Sequence, residues 1–318
     1  MLWEPGMLVA ARLRERFGVP GLDVERTVPF RNKESMKRLL DQAGIRTPRH
    51  LAATSEEEIR LAAERIGYPI LADAEPARLT PTASTTAVPE AVLPWVAHVD
   101  ELGRGVRRRR GASLSTRSRR GLHSVAQAPR PLVARSEEWI SPQVVALRDP
   151  DRADLAGGVE MGFAVLRALG FESGFTHMEW YRKADGEVVF GEIGARPPGA
   201  HQVDQMNYAC DIDVFRGWAD AVCHGRFRER ARRLYNVATI YKRAQGQGRI
   251  RSIDGIEAFR SRHAPHIVWE NLLPVGAPRR NWKQTLVSDG FVILRHPELD
   301  VTLTMADEFG TEVQLFAA

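Results

Sequence analysis

The residues best suited to chemistry are two glutamates, Glu179 and Glu192, in two runs of alternating apolar and polar residues that flank Asp185-Gly186. Asp-Gly is a dipeptide that two-residue type I′ hairpins prefer, because both central residues need positive φ. A hairpin turning at these two residues puts Glu179 directly opposite Glu192, with Cβ atoms about 4.5–5.5 Å apart. The spacing therefore predicts a pair of carboxylates on one face of a strand pair.

Two carboxylates at ~5 Å repel each other by roughly 3 kcal/mol at an effective dielectric of about 20. A hard divalent cation, Mg²⁺ or Mn²⁺, relieves that repulsion and can also carry phosphates. Arg196, which follows Glu192 on the same strand end, offers a planar fork for a phosphate or a carboxylate. The alternative is an exposed hairpin whose glutamates face water, but the neighbouring Trp180 and Phe190 are typical of a packed strand pair.

His177 shares a strand face with Glu179, since successive side chains on a strand alternate. Two interpretations remain open for it. One is a catalytic role in positioning phosphate or substrate, and the other is a histidine packed into the strand.

Upstream, the sequence predicts a helix from Lys33 to Ala43 that Asn32 caps and Gly44 ends. Its apolar stripe is Met36, Leu39, Leu40 and Ala43. Further elements are predicted from capping, periodicity and β-propensity: a helix opened by a capping box at Thr54–Glu57, a strand from Tyr68, a strand at Ile140–Leu147, and a helix at Leu155–Leu169 ended by Gly170.

The stretch from Ala72 to Arg135 differs in composition from the rest of the chain. It holds eleven Arg against five Asp and Glu, lacks Lys, Ile, Phe, Tyr, Asn, Met and Cys, and shows neither helical nor strand periodicity. The rest of the chain has 34 basic and 35 acidic residues, so this stretch accounts for the net charge of +5. Such a composition predicts little regular structure between residues 75 and 130 and favours disorder.

Three interpretations of this stretch remain open. It can be a disordered linker, or a basic insert that binds nucleic acid through Arg104–Arg120. It can also be GC-rich coding sequence in a shifted frame, because the Arg run, shifted by one base, can encode an acidic strand and turn. The absence of Lys and the neutral remainder of the chain argue against a nucleic-acid partner.

The 318-residue chain has room for several domains, and its 43% hydrophobic content supports a sizeable core. No apolar run is long enough for a membrane span, and the first residues do not resemble a signal peptide. Cys210 and Cys223 have no ligand-like neighbours, so we expect two buried thiols in a cytoplasmic protein.

Thr176-His-Met-Glu179, followed by Gly191-Glu-Ile-Gly-Ala-Arg-Pro-Pro-Gly199, resembles the closing motif of the ATP-grasp superfamily, which includes biotin carboxylase and carnosine-synthase-like amino-acid ligases. The resemblance implies that Glu179 and Glu192 hold the Mg²⁺ of ATP and that Arg196 contacts the transferred phosphate or the acyl-phosphate.

The segment Arg31–Pro48 looks like the entry helix of the same superfamily, whose first Lys, here Lys33, reaches the nucleotide. The alternative is an ordinary surface lysine. His201 and Gln202 follow the Pro197–Gly199 turn, where the superfamily often contacts its substrate, and the resemblance implies that role for them.

The chain also departs from the family pattern. Gly194 stands where an Asn ligand is usual, and Ala72-Asp-Ala74 stands where a second nucleotide Lys is expected. The glycine-rich phosphate-covering loop is missing, and so is the acidic adenine hinge unless the Arg run is read in the shifted frame. The chain before Lys33 is too short for the usual preceding α/β domain. We therefore expect an N-terminally truncated protein with impaired nucleotide affinity.

The resemblance implies an α+β protein of ATP-grasp fold with antiparallel sheets and packed helices, and the departures from the family pattern imply a disrupted central lid subdomain. The predicted parts are an N-terminal part (1–71), the anomalous segment (72–136), a catalytic core (137–240) and a small β-rich subdomain (241–318). The resemblance implies ATP-dependent activation of a small-molecule carboxylate as an acyl-phosphate, for attack by an amine or another nucleophile. A homodimer is one possible assembly, and no membrane partner is expected. The alternative is a non-catalytic remnant of such an enzyme.

Overall fold

The computed structural model describes residues 6–53, 55–66, 70–74, 83–87, 92–97, 124–125, 141–149, 151–171, 176–183, 186–224, 232–282, 284–285 and 287–318. The chain forms two compact units, each built from two stretches of sequence: Met1–Glu101 with Arg152–Pro197, and Leu102–Asp151 with Pro198–Ala318. The predicted division into four consecutive parts stays a prediction, because most residues between 72 and 136 lie outside the described ranges.

The described α-helices are α1 Met7–Phe17, α2 Val24–Thr27, α3 Lys33–Gln42, α4 Glu56–Ile66, α5 Ala156–Ala168, α6 Gln202–Cys210, α7 Val214–His224, α8 Ile256–His263 and α9 Leu299–Glu312. The described strands are β1 His50–Ala53, β2 Ile70–Ala74, β3 Ala83–Ala87, β4 Val92–Ala97, β5 Ser124–Val125, β6 Gln143–Ala146, β7 His177–Lys183, β8 Val188–Gly194, β9 Asn236–Tyr241, β10 Gln245–Gly246, β11 Ile250–Asp254, β12 Ile267–Leu272, β13 Gly290–His296 and β14 Gln314–Ala317.

Helix α3 begins where the sequence predicts, because the Asn32 side chain accepts a hydrogen bond from the Ser35 backbone N–H at 2.7 Å. Its Met36 and Leu40 are buried, whereas Ala43, predicted as the last residue of the stripe, is exposed beyond the helix end. Gly44 has a φ of +71°, a conformation that favours glycine and stops the helix.

The first unit contains two antiparallel sheets, with strand orders β1-β3-β2 and β4-β7-β8. Helix α5 packs against β7 and β8. A Cβ atom added at Gly158 of α5 would lie 2.1 Å from Cζ2 of Trp180, which is itself buried. Only glycine therefore lets α5 approach the sheet that carries the two glutamates.

The sequence predicts little regular structure between residues 75 and 130, but the described part of that stretch contains the strands β3, β4 and β5. The overall composition concealed short windows with strand propensity: Ser84-Thr-Thr86 is β-branched in part, and Val92–Ala97 is almost wholly apolar. Pro94 fits because β4 is an edge strand of its sheet. The Arg run lies outside the described residues.

The second unit has a five-stranded antiparallel sheet of order β12-β13-β9-β6-β5 and a three-stranded sheet of order β10-β14-β11. All six residues of β9 are buried, because α6 and α9 both pack on the sheet that contains it. Within the described ranges, none of the helices combines the length and hydropathy that crossing a bilayer requires.

The two cysteines differ in burial. Cys210 is buried as predicted, and burial raises the pKa of its thiol to about 11. The same prediction is wrong for Cys223, which is exposed near the end of α7. Neither thiol is in a disulfide.

Candidate metal and nucleotide site

The β7–β8 hairpin pairs Glu179 directly with Glu192, as the spacing predicts. The neighbouring pairs, Met178 with Ile193 and His177 with Gly194, keep the same register. Opposed residues of an antiparallel pair share a face, so both carboxylates lie on the same side of the sheet. Glu179 is 21% exposed and Glu192 is 42% exposed, so both are accessible to a ligand.

Towards the turn the predicted uniform register is wrong, because Trp180 pairs with Phe190 and the register passes over Gly191. Strict alternation would put the apolar Phe190 and the charged Glu192 on the same face. Either the Phe190 ring would then be exposed to water, or the Glu192 carboxylate would be buried. The bulge at Gly191 separates them, and Phe190 is fully buried while Glu192 faces outward.

Glycine is needed at this bulge, because a Cβ atom at Gly191 would lie 2.8 Å from the backbone oxygen of Glu179. An isolated glycine within a strand pattern is the signal that could have predicted the bulge. Asp185 of the predicted turn lies outside the described residues, and Gly186 has a φ of +89°.

Lys33 contacts one carboxylate of the pair, that of Glu192. It is the first residue of α3, and its Nζ lies 2.8 Å from Oε2 of Glu192. The predicted nucleotide-binding lysine and a predicted metal ligand are thus in direct contact. Sequence periodicity carries no signal for this contact, because it joins a helix start to a strand far along the chain.

His177 lies on the same face, with Nε2 3.9 Å from Oε1 of Glu179 and a side chain only 13% exposed. Burial lowers the pKa of His177 to about 4, and the positive charge of Arg196 lowers it further, against the opposing effect of Glu192. The imidazole is therefore neutral near pH 7. Arg196 itself donates a hydrogen bond from Nη1 to the Pro197 carbonyl oxygen at 3.0 Å.

The donor set suits a hard divalent cation that arrives with other oxygen ligands. Mg²⁺ is commonly bound by one or two carboxylates together with phosphate oxygens and water. Within the described part of the chain, no three His, Cys, Asp or Glu side chains converge on one point, so a nucleotide and water would have to complete the shell. Gly194, at the position where the resemblance implies an Asn ligand, adds no ligand, and a Cβ atom added at Gly194 would lie 3.5 Å from Cγ of Arg196.

His201 and Gln202, the predicted substrate contacts, belong to the second unit. His201 has a φ of +62°, and its Nδ1 lies 3.1 Å from Oδ2 of Asp204. The centre of its ring is 4.6 Å from that of Trp269 and 4.5 Å from that of Phe291. Gln202 is buried at the start of α6. The i, i+3 spacing could have predicted the contact with Asp204, but the aromatic neighbours come from distant strands.

Comparison with curated proteins finds an L-arginine-specific L-amino acid ligase from Bacillus subtilis, 24% identical over 217 residues. The match covers 62% of this chain and 50% of that protein, so the chain corresponds to about half of its relative. No protein-family model matches the chain.

Solved structures resemble the chain over most of its length. An L-amino acid ligase from Bacillus licheniformis has a TM-score of 0.75 at 16% identity, covering 100% of this chain and 80% of that one. A phosphoribosylglycinamide synthetase from Anaerococcus prevotii has a TM-score of 0.67 at 13% identity, with coverages of 100% and 81%. A biotin carboxylase–βγ-ATP complex from Campylobacter jejuni has a TM-score of 0.59 at 12% identity, with coverages of 96% and 73%.

Proposed function

The chain has the ATP-grasp fold, and from that premise we propose that it is an ATP-dependent ligase. It would activate a small-molecule carboxylate as an acyl-phosphate for attack by an amine. The observation that carries the proposal is the register of β7 and β8, which opposes Glu179 and Glu192 on one face. Lys33 beside them adds a positive charge suited to phosphate.

Amino acids are the substrates that the similarities favour. The curated relative is named as an L-amino acid ligase, and so is one of the solved structures with this fold. We therefore propose that one L-amino acid supplies the carboxylate and that a second amino acid supplies the amine.

In this proposal, Glu179 and Glu192 would hold Mg²⁺ or Mn²⁺, and that cation would neutralise part of the charge on the phosphates of ATP. Arg196 stabilises the negative charge on the transferred phosphoryl group, and Lys33 binds a phosphate. His177, neutral near pH 7, can hydrogen-bond to a substrate or a phosphate without adding charge. The protein contributes mainly positioning and electrostatic stabilisation.

A second candidate, a non-catalytic remnant of such a ligase, is favoured by one observation. Strand β2, where the family resemblance implies a second nucleotide lysine, has the sequence Ile-Leu-Ala-Asp-Ala. We therefore expect weak ATP affinity.

The proposal also includes a cytoplasmic location and a homodimer. Size-exclusion chromatography with light scattering tests the oligomeric state.

The test is hydroxylamine trapping, which converts an acyl-phosphate to a stable hydroxamate. With ATP, Mg²⁺ and a panel of L-amino acids, we expect ADP and hydroxamate to form with at least one of them. Glu192→Gln should reduce the rate by at least about 100-fold, as the loss of a major electrostatic contribution does. Glu187→Gln is the matched control, because Glu187 lies beside the same hairpin but pairs with Arg46 instead. No ADP and no hydroxamate with any amino acid would favour the remnant.

A further inference from the structure

Glu192 already holds a cation in this structure, namely the ammonium of Lys33 at 2.8 Å from Oε2. A metal ion bound to the same oxygen would lie within a few ångströms of that ammonium. Two positive charges so close repel each other strongly. Metal binding at Glu192 and the Lys33–Glu192 ion pair are therefore in competition.

The position of Lys33 on its helix indicates what holds it there. Lys33 is the first residue of α3, at the positive end of the helix dipole, where a cation is unfavourable. The Asn32 cap and Glu34 in the first turn stabilise the helix start, whereas Lys33 does not. Its ammonium forms an ion pair with the carboxylate of Glu192 on β8, and that contact is favourable.

The Lys33–Glu192 ion pair is also weak enough for a ligand to replace one of its partners. The Lys33 side chain is 28% exposed and that of Glu192 is 42% exposed, so water screens the attraction. Pairs of this kind contribute little free energy. A divalent cation or a phosphate group can therefore displace one partner from the other.

We propose that Lys33 is the resident counter-ion of the carboxylate pair and that it transfers to a nucleotide phosphate when the metal ion takes its place. This inference rests on the proposed function, since it takes Glu192 as a metal ligand. The transfer couples the two ligands, because a phosphate that binds Lys33 frees Glu192 for the metal. Removing the lysine should therefore affect metal and nucleotide binding in opposite directions.

The test measures Mn²⁺ binding by electron paramagnetic resonance without nucleotide, and ATP binding by calorimetry in saturating Mn²⁺. Lys33→Met should bind free Mn²⁺ about two- to fivefold more tightly than the wild type, the size expected when a half-exposed ion pair no longer competes. The same variant should bind ATP about tenfold more weakly or worse, because a charge-assisted contact to phosphate is lost.

Arg46→Met is the matched control. Arg46 forms a half-exposed ion pair with Glu187, 3.0 Å long, in the same unit, and it contacts neither of the two carboxylates. The Arg46→Met variant should bind Mn²⁺ and ATP with affinities within about twofold of those of the wild type.

A double-mutant cycle separates direct competition from a general change of charge. In a Glu192→Gln background, Lys33→Met should no longer tighten Mn²⁺ binding. A gain that persists there, or an equal Mn²⁺ affinity of wild type and Lys33→Met, would overturn the transfer while leaving the metal site intact. An absence of Mn²⁺ binding to all of these proteins would overturn the metal assignment, and the inference with it.

Discussion

Lys242, directly after β9, is a buried cation that hydrogen-bonds to neutral acceptors. Its Nζ donates to Oγ of Ser141 and to the carbonyl oxygen of Gly310, both at 2.9 Å, and lies 5.8 Å from the centre of the Phe309 ring. Burial lowers its pKa from 10.5 to about 8. The contacts join the start of β6 to the last turn of α9, where the helix dipole favours a positive charge.

This depressed pKa predicts how stability depends on pH. Between about pH 8 and 10.5 the unfolded chain binds more protons at Lys242 than the folded chain, so stability rises with pH across that window. Below pH 8 the cost of burying the charge is fully present. Relative to Lys242→Met, the wild type should gain up to roughly 3 kcal/mol of unfolding free energy from pH 7 to pH 10.5. Urea unfolding at several pH values measures this gain. If the unfolding free energies of the two proteins changed in parallel with pH, the prediction would be refuted.

The parts of the candidate site that could be predicted are those that depend on local spacing. Glu179 and Glu192 belong to one hairpin, and a turn dipeptide with strand alternation is enough to oppose them. The contact of Lys33 with Glu192 joins the first residue of α3 to a strand far along the chain, and no periodicity encodes that. The contact of His201 with Trp269 is likewise not encoded by periodicity, because Trp269 lies on a strand distant in sequence.

At the scale of elements, the bulge in β8 positions Glu192, and Gly191→Ala tests this. The added methyl group would meet the Glu179 backbone oxygen at 2.8 Å and Cε2 of Tyr181 at 3.0 Å. We expect a loss of about 1–3 kcal/mol in unfolding free energy, as for other overpacked sites. Weaker Mn²⁺ binding should accompany it, because the strand must shift.

The matched control is Gly194→Ala on the same strand. There the methyl group would make an ordinary contact of 3.5 Å with Cγ of Arg196, and the loss of glycine entropy in the unfolded chain slightly favours the variant. Chemical denaturation of both variants gives the comparison. If Gly191→Ala were as stable as Gly194→Ala, the steric account of the bulge would be wrong.

Elements with strong local signals matched their predictions closely, and those judged by composition did not. Asn32 caps α3 as predicted, and the predicted helix at Leu155–Leu169 is α5, Ala156–Ala168. The predicted capping box of α4 begins one residue too early, at Thr54, because Oγ of Ser55 accepts the hydrogen bond from the Glu58 N–H, at 3.2 Å. The composition of residues 72–135 as a whole does not predict β3 and β4, because it averages short apolar or β-branched windows with the Arg run.

At the scale of the whole molecule, the net charge of +5 arises within that stretch, much of which lies outside the described residues. The choice among a linker, a shifted frame and a nucleic-acid-binding insert therefore stays a prediction. The nucleotide sequence of the gene around codons 70–136 decides it, since a compensating insertion and deletion would flank a shifted frame.

The central claim is that Glu179 and Glu192 hold the metal ion of bound ATP. Calorimetric titration of ATP into the wild type and into the double variant Glu179→Gln/Glu192→Gln, each with Mg²⁺ and with EDTA, tests it most directly. We predict weak binding to the wild type that requires Mg²⁺, and no detectable binding to the double variant under either condition. Equal affinity of the two proteins for ATP, binding that is unchanged by EDTA, or no binding to the wild type at millimolar ATP would contradict the claim.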